Sequence, residues 1–193
     1  MQWLNFLHLY QPANQQKDIL ASVVQQSYRP LINYIYNNNK VNLTINITGS
    51  LLELFDRDGY YDLIEMLKDS VFKGKIEITG SAKYHAILPL ITKREIERQI
   101  VANDETLRKY LGNNVVTKGF FAPEMAVNQE LMPIISSLGY EWIVLDEISY
   151  NGGNKYPNST SLYVDKHSGV TFFFRNRRIS TLIMSAFASG TET

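Results

Sequence analysis

The stretch Gly119-Phe-Phe-Ala-Pro-Glu-Met-Ala-Val127 sets one carboxylate, Glu124, directly after a run with strand character. Val115 to Phe121 reads as that strand, and Pro123 closes it because proline has no N–H to give a ladder. Asn128 to Leu138 then has helical spacing, with Leu131, Ile134, Ile135 and Leu138 on one face. A carboxylate between the C-terminal end of a strand and the next helix is where α/β barrels hold their catalytic groups. An isolated Glu in that place would be read first as a helix cap. The reading changes because polar strand exits recur along the chain.

The first strand exits into His8-Leu-Tyr-Gln-Pro12 and the second into Gly49-Ser-Leu-Leu-Glu53. The third leads into Gly80-Ser-Ala-Lys-Tyr-His-Ala-Ile-Leu-Pro89, and the fifth into Asp146-Glu147. Parallel α/β architectures gather such ends on one rim, so His8, Tyr10, Gln11, Tyr84, His85 and Glu124 are expected to share a cleft. That is the chemistry of a carbohydrate pocket: a carboxylate to react, amide and imidazole groups for hydroxyls, and rings for stacking. Glu77 alternates with Ile76 and Ile78, so it points away from the helix layer. A bare Glu is costly on a covered sheet face and at home in a barrel lumen. Blander readings stand beside these. His8 alone reads equally as a satisfied structural histidine. Asp146-Glu147 reads as a cap or a salt bridge to an arginine, and His167 as an exposed turn residue.

Strand and helix alternate behind these exits. Trp3 to Leu9 has β character; Ile19 to Asn38 has helical spacing, with Pro30 expected to restart or kink the helix. Val41 to Thr48 is an alternating strand, Tyr60 to Phe72 a helix stopped by Gly74, and Lys75 to Thr79 the third strand. Lys93 to Leu111 is an amphipathic helix with Thr92 as N-cap, Glu95 three residues on, and Gly112 as its stop. Glu141 to Leu145 is the fifth strand. After an Asn151-Gly-Gly-Asn154 turn, Leu162 to Val164 and Val170 to Phe174 can pair as a hairpin. Strands separated by helices of this length imply βαβ units and a mostly parallel sheet, so the class is α/β with barrel-like closure favoured.

At 193 residues the chain suits one domain or a large part of one. Lys plus Arg and Asp plus Glu balance at 19 each, which argues against nucleic-acid partners and anionic membrane surfaces. Cysteine is absent, which removes disulfides and thiolate metal sites and favours a reducing, cytoplasmic setting. No run approaches a transmembrane span and the N-terminus has no signal-peptide pattern. The sequons at Asn42, Asn46 and Asn158 therefore read as coincidental. Twelve tyrosines suit a sugar-binding surface.

Taken in order, three of these motifs resemble glycoside hydrolase family 57, whose members act on α-glucans as amylases, amylopullulanases, 4-α-glucanotransferases and branching enzymes. His8-Leu-Tyr-Gln-Pro12 is similar to its first region, Gly74-Lys-Ile-Glu-Ile-Thr79 to its second, and Gly119 to Val127 to its third. The resemblance implies an incomplete (β/α)7 barrel and a retaining mechanism without a cofactor. It implies Glu124 as nucleophile, with His8, Gln11, Glu77 and His85 lining the pocket beside Tyr10 and Tyr84. The substrate implied is an α-glucan or oligosaccharide. Phe121 departs from the Trp that many members carry near that point, keeping an apolar wall but losing a donor.

The family's general acid is an Asp in a fourth region, many tens of residues past the nucleophile. No Asp follows Asp165 here, so the chain is expected to be the N-terminal portion of one catalytic domain, residues 1–193, that lacks its acid. Two rivals remain open. A non-catalytic glycan-binding homologue would share every pocket residue. A metal-dependent polysaccharide deacetylase would need an Asp and two closely spaced histidines, whereas the three here stand at 8, 85 and 167.

Overall fold

The computed structural model describes residues 4–158 and 160–188. Two groups of strands form it. β1 (Phe6–Leu9), β2 (Leu43–Ile47) and β3 (Ile76–Thr79) lie parallel in that order. β4 (Gly119–Phe121), β5 (Trp142–Asp146) and β7 (Thr171–Arg175) are also parallel, with β6 (Tyr163–Val164) antiparallel on the outer edge. A parallel bridge between Gly80 and Phe120 joins the two groups. The result is an arc of six parallel strands that does not close into a barrel among the described residues. The α/β class and the parallel sheet expected from the sequence are present.

Six helices cover one face of the arc. α1 (Lys17–Val23), α2 (Arg29–Asn37), α3 (Gly49–Arg57) and α4 (Tyr61–Phe72) pack Leu20, Ile32, Ile35, Leu51, Phe55 and Leu67 against Leu9, Ile45, Ile47 and Ile78. α5 (Lys93–Leu111) crosses the junction of the two groups. Its Leu107 and Leu111 belong to this first core, whereas Ile96 and Ile100 join a second core with Phe120, Ile143 and Leu145, covered by α6 (Leu131–Ser137). α5 starts as its sequence dictates: Thr92 Oγ1 accepts the Glu95 N–H, and Gly112 ends it at φ 109°.

Because side chains alternate along a strand, the residues between the core positions point to the other face. Phe6, His8, Thr44, Asn46, Glu77 and Thr79 line it on the first group; Phe121, Trp142, Asp146, Phe173 and Arg175 line it on the second. Neither hydrophobic core includes these residues. Glu77 accordingly points away from the helices, as its alternation predicted.

Several elements differ from their sequence reading. The first strand starts at Phe6, and Trp3 lies outside the described residues, as does Ser159 of the Asn158 sequon. The predicted long helix is split by a π-helical turn, Val24–Tyr28, directly before Pro30, whose missing N–H starts α2. Gly49 to Glu53, read as a strand exit, instead opens α3. Asn103 Oδ1 accepts the Gly49 N–H at 2.8 Å, and a Cβ on Gly49 would lie 2.9 Å from Thr106 Cβ, so glycine is what lets α3 and α5 approach. The fourth strand keeps only Gly119–Phe121 of the expected Val115–Phe121. The expected hairpin forms, but its second arm is also a parallel partner of β5, and Arg177–Ala188 follows as α7.

The junction of the groups is crowded. A Cβ on Gly80 would stand 2.0 Å from Tyr140 Oη, and that hydroxyl donates to Asp104 at 2.7 Å. Gly80→Ala is therefore expected to cost about 1–3 kcal/mol, the usual range for forced overpacking. Denaturant unfolding checks this; an unchanged midpoint would show that Tyr140 gives way freely.

Candidate active site

β1 ends at Leu9 and hands the chain to Tyr10 and Gln11, while β3 ends at Thr79 and leads through Gly80 to His85. The two exits meet. His8 Nε2 lies 3.1 Å from His85 Nε2, and the Tyr10 ring stacks on His85 with centroids 4.1 Å apart. Phe121, from β4, closes one side of the pair: its ring lies 4.7 Å from that of His8 and 5.3 Å from Phe6. Behind His8, Asn46 Oδ1 accepts from Nδ1 at 2.8 Å.

The loop that carries His85 is fixed from outside the site. Gln99 of α5 accepts the Lys83 N–H through its carbonyl and the Tyr84 N–H through Oε1, and Lys83 Nζ pairs with Glu53 at 2.8 Å. His85 itself adopts a left-handed φ of 57°. Glu124 does the same. After Phe121 the chain passes through Ala122 into a single turn, Pro123–Met125, in which Glu124 has φ 56° and ψ 16° and Met125 has φ 53°. Left-handed non-glycine residues cost of order 1–3 kcal/mol each and gather where a site needs them. Three of the four in the described chain sit at these strand exits. The turn presents Glu124, exposed, to the histidine pair.

The electrostatics bind these groups together. Burial lowers the His8 pKa below the ordinary 6.5, opposed by its bond to Asn46 and by the Glu124 charge. Burial lowers His85 too, with His8 adding to the effect and Glu124 opposing it. Burial thus favours the neutral form of both rings, and the Glu124 charge acts on both against it.

The other predicted residues take separate places. Gln11 Nε2 donates to Tyr28 Oη at 3.2 Å, and that hydroxyl donates to the Tyr10 carbonyl, so Tyr28 links Gln11 to the backbone of Tyr10. Glu77 is one pleat lower, accepting from Thr44 at 3.4 Å. The Tyr84 ring is half-exposed beside Lys83 Nζ, 5.4 Å from its centroid. Asp146 caps the Ile148 N–H and faces Arg177 at 3.6 Å and Arg175 at 4.0 Å, which is the capping and ion-pair reading. His167 is exposed in its turn. His8 and His85, expected to share a cleft from their strand exits, are 77 positions apart in sequence and in direct contact. Asn46 was missed as a site residue. It is fully buried on the strand beside His8, and only the pairing His8↔Asn46 reveals it.

The family model for glycosyl hydrolase family 57 matches residues 2–191. The chain belongs to glycosyl hydrolase family 57. Alpha-amylase 1 of Dictyoglomus thermophilum is 25% identical over 146 residues, covering 75% of this chain and 21% of that protein. An alpha-amylase of Pyrococcus abyssi is 27% identical over 150 residues, 76% of this chain and 22% of that one. The crystal structure of 4-alpha-glucanotransferase from Thermococcus litoralis superposes with a TM-score of 0.84 at 21% identity, over 93% of this chain and 28% of that chain. The family 57 chain therefore spans about a fifth of the length of these curated relatives.

The lowered histidines make a prediction about pH. A folded-state pKa below the unfolded value means the unfolded chain binds more protons between the two, so stability is full above about pH 6.5 and falls as pH drops through the folded values. Thermal melts are expected to show that decline, and His85→Asn, which cannot titrate yet tolerates a left-handed backbone, should make it shallower. Superimposable profiles for the two proteins would contradict the assignment.

Proposed function

We propose that this site belongs to an α-glucan-acting enzyme of the retaining type, with Glu124 as its nucleophile. The observation that carries the reading is the presentation of Glu124. A strained turn at the end of β4 holds an exposed carboxylate toward two neutral histidines and the Tyr10 ring. A glucose ring stacking on Tyr10 would set its hydroxyls against the imidazoles and its anomeric carbon over Glu124.

In the first step a Glu124 oxygen bonds to the anomeric carbon as the glycosidic C–O bond breaks. The bonding pair leaves with the glycosidic oxygen, which takes a proton from a second carboxyl. In retaining enzymes that partner stands roughly 5–5.5 Å from the nucleophile. Two candidates within the chain fit the role poorly. Glu77 is bonded to Thr44 a pleat below, and Asp146 faces two guanidiniums. We assign proton donation to another carboxyl. In the second step water or a sugar hydroxyl gives its proton back to that second carboxyl and bonds to the anomeric carbon as the bond to Glu124 breaks, giving hydrolysis or transfer. The names of the relatives, alpha-amylase and 4-alpha-glucanotransferase, support both outcomes. The cysteine-free composition suits work in a reducing cytoplasm.

A fluorinated α-glucosyl fluoride tests the nucleophile without needing the acid, because fluoride leaves unprotonated. The expected result is one sugar bound covalently per chain, mapped by mass spectrometry to the peptide holding Glu124 and absent in Glu124→Gln. Oligosaccharide binding with no label, or a label on another residue, would overturn the proposal; the first outcome would favour a glycan-binding protein.

A further inference from the structure

Asn46 is fully buried, and both ends of its amide are committed. Nδ2 stands 3.1 Å from Thr79 Oγ1 and 3.4 Å from the carbonyl oxygens of both Thr79 and Gly80. Carbonyl oxygens only accept, so turning the amide over would set Oδ1 against two more acceptors. Oδ1 must therefore be the atom that faces His8, 2.8 Å from Nδ1. An amide oxygen cannot donate. His8 Nδ1 carries the hydrogen, and in the neutral ring Nε2 is left as a bare acceptor.

The consequence passes to the next ring. His85 Nε2 lies 3.1 Å from that bare nitrogen, and two unprotonated nitrogens would repel. His85 must supply the hydrogen. The direction of the bond between the two histidines is thus set from inside the sheet, by a side chain that no substrate can reach.

We infer that Asn46 is a positioning residue: it fixes the tautomer of His8 and so makes His85 the donor, leaving the pair with one acceptor and one donor for a single sugar hydroxyl. A hydroxyl both donates and accepts, so it can replace the direct bond by giving its hydrogen to His8 Nε2 and taking that of His85 Nε2. The nitrogens must then part from 3.1 Å to roughly 5 Å, the span of two bonds at an angle. An ether or a deoxy position could not satisfy both. The titratable groups facing the pair are Glu124 and Tyr10, and neither reaches His8 Nδ1, which Asn46 occupies. The hydroxyl half of this inference rests on the α-glucan reading; the tautomer half does not.

Nitrogen-15 long-range NMR of the ligand-free chain, at a pH where both rings are neutral, decides the tautomers. The expected spectrum shows His8 as Nδ1–H and a through-hydrogen-bond coupling from His85 Nε2–H to His8 Nε2. Asn46→Asp, which keeps an acceptor, should preserve the His8 form. Asn46→Ala should move His8 toward the Nε2–H form that free imidazole side chains favour in water. Wild-type His8 in the Nε2–H form overturns the inference without need of any variant, and so does a folded Asn46→Ala chain that keeps Nδ1–H. Maltotriose is then added: the coupling should vanish while His8 stays Nδ1–H. A coupling that survives alongside sugar-induced shifts at Tyr10 refutes the shared hydroxyl. No sugar-induced shift anywhere counts against the α-glucan reading and leaves the tautomer result standing.

Discussion

The rest of the site depends on a short junction between two groups of strands. Gly80 donates its N–H to the Gly119 carbonyl and accepts from the Phe121 N–H, each at 2.9 Å. Ser81 Oγ adds a bond to the Phe121 carbonyl at 2.8 Å. On one side of this junction stand His8, Asn46 and His85; on the other stand Phe121 and Glu124. Only a residue without a side chain fits, because Tyr140 Oη fills the place a Cβ would take. Buried hydrogen bonds of this kind are modest in net energy but costly to leave unmade. They hold the register between the groups, and that register decides whether the carboxylate meets the imidazoles. α5 reinforces it from behind by contributing side chains to both cores and pinning the His85 loop through Gln99.

Division of labour between the two sheet faces follows from alternation. One face is apolar and buried under helices, which supplies the stability. The other carries aromatic, amide, imidazole and carboxylate groups that would be expensive under a helix layer without partners. Polar groups on it are satisfied locally where they are buried: Asn46 by Thr79 and His8, and Thr48 by Ser50 at 3.0 Å. Rings pair on the same face, Phe6 with Phe121 and Trp142 with Phe173. Stored strain at Glu124, Met125 and His85 is offset by this scaffold, as expected where a site needs a side chain aimed in a direction the relaxed backbone would not give.

Much of this was legible in the residues. Period-two alternation in Leu43 to Ile47 and Ile76 to Thr79 placed the faces correctly, and the cap and stop signals bounded the helix from Lys93 to Leu111. Glu124 and His8 stood out because titratable groups at strand exits converge in parallel folds. What stayed hidden was three-dimensional. The helix at Gly49 opens directly from a strand, with no loop to mark it, and is held by Asn103, 54 positions away. Strand-exit reasoning put His8 and His85 in one cleft, but not the direct contact between their rings. Asn46 looked like the polar half of an alternating strand, and its role appears only when the register with β1 is known. Gln11 belongs to a motif that suggests substrate contact, and its bond from Nε2 to Tyr28 was not foreseen.

A crystal structure of this chain with a bound α-1,4-linked oligosaccharide tests the central claim most directly. The account predicts a sugar ring against Tyr10 with its anomeric carbon about 3–3.5 Å from a Glu124 oxygen, the separation of a near-attack pose. It is contradicted if the anomeric carbon lies out of reach of Glu124. It is equally contradicted if the sugar settles on another surface, such as the notch beside Tyr34 and Asn37, and leaves the His8–His85 contact untouched.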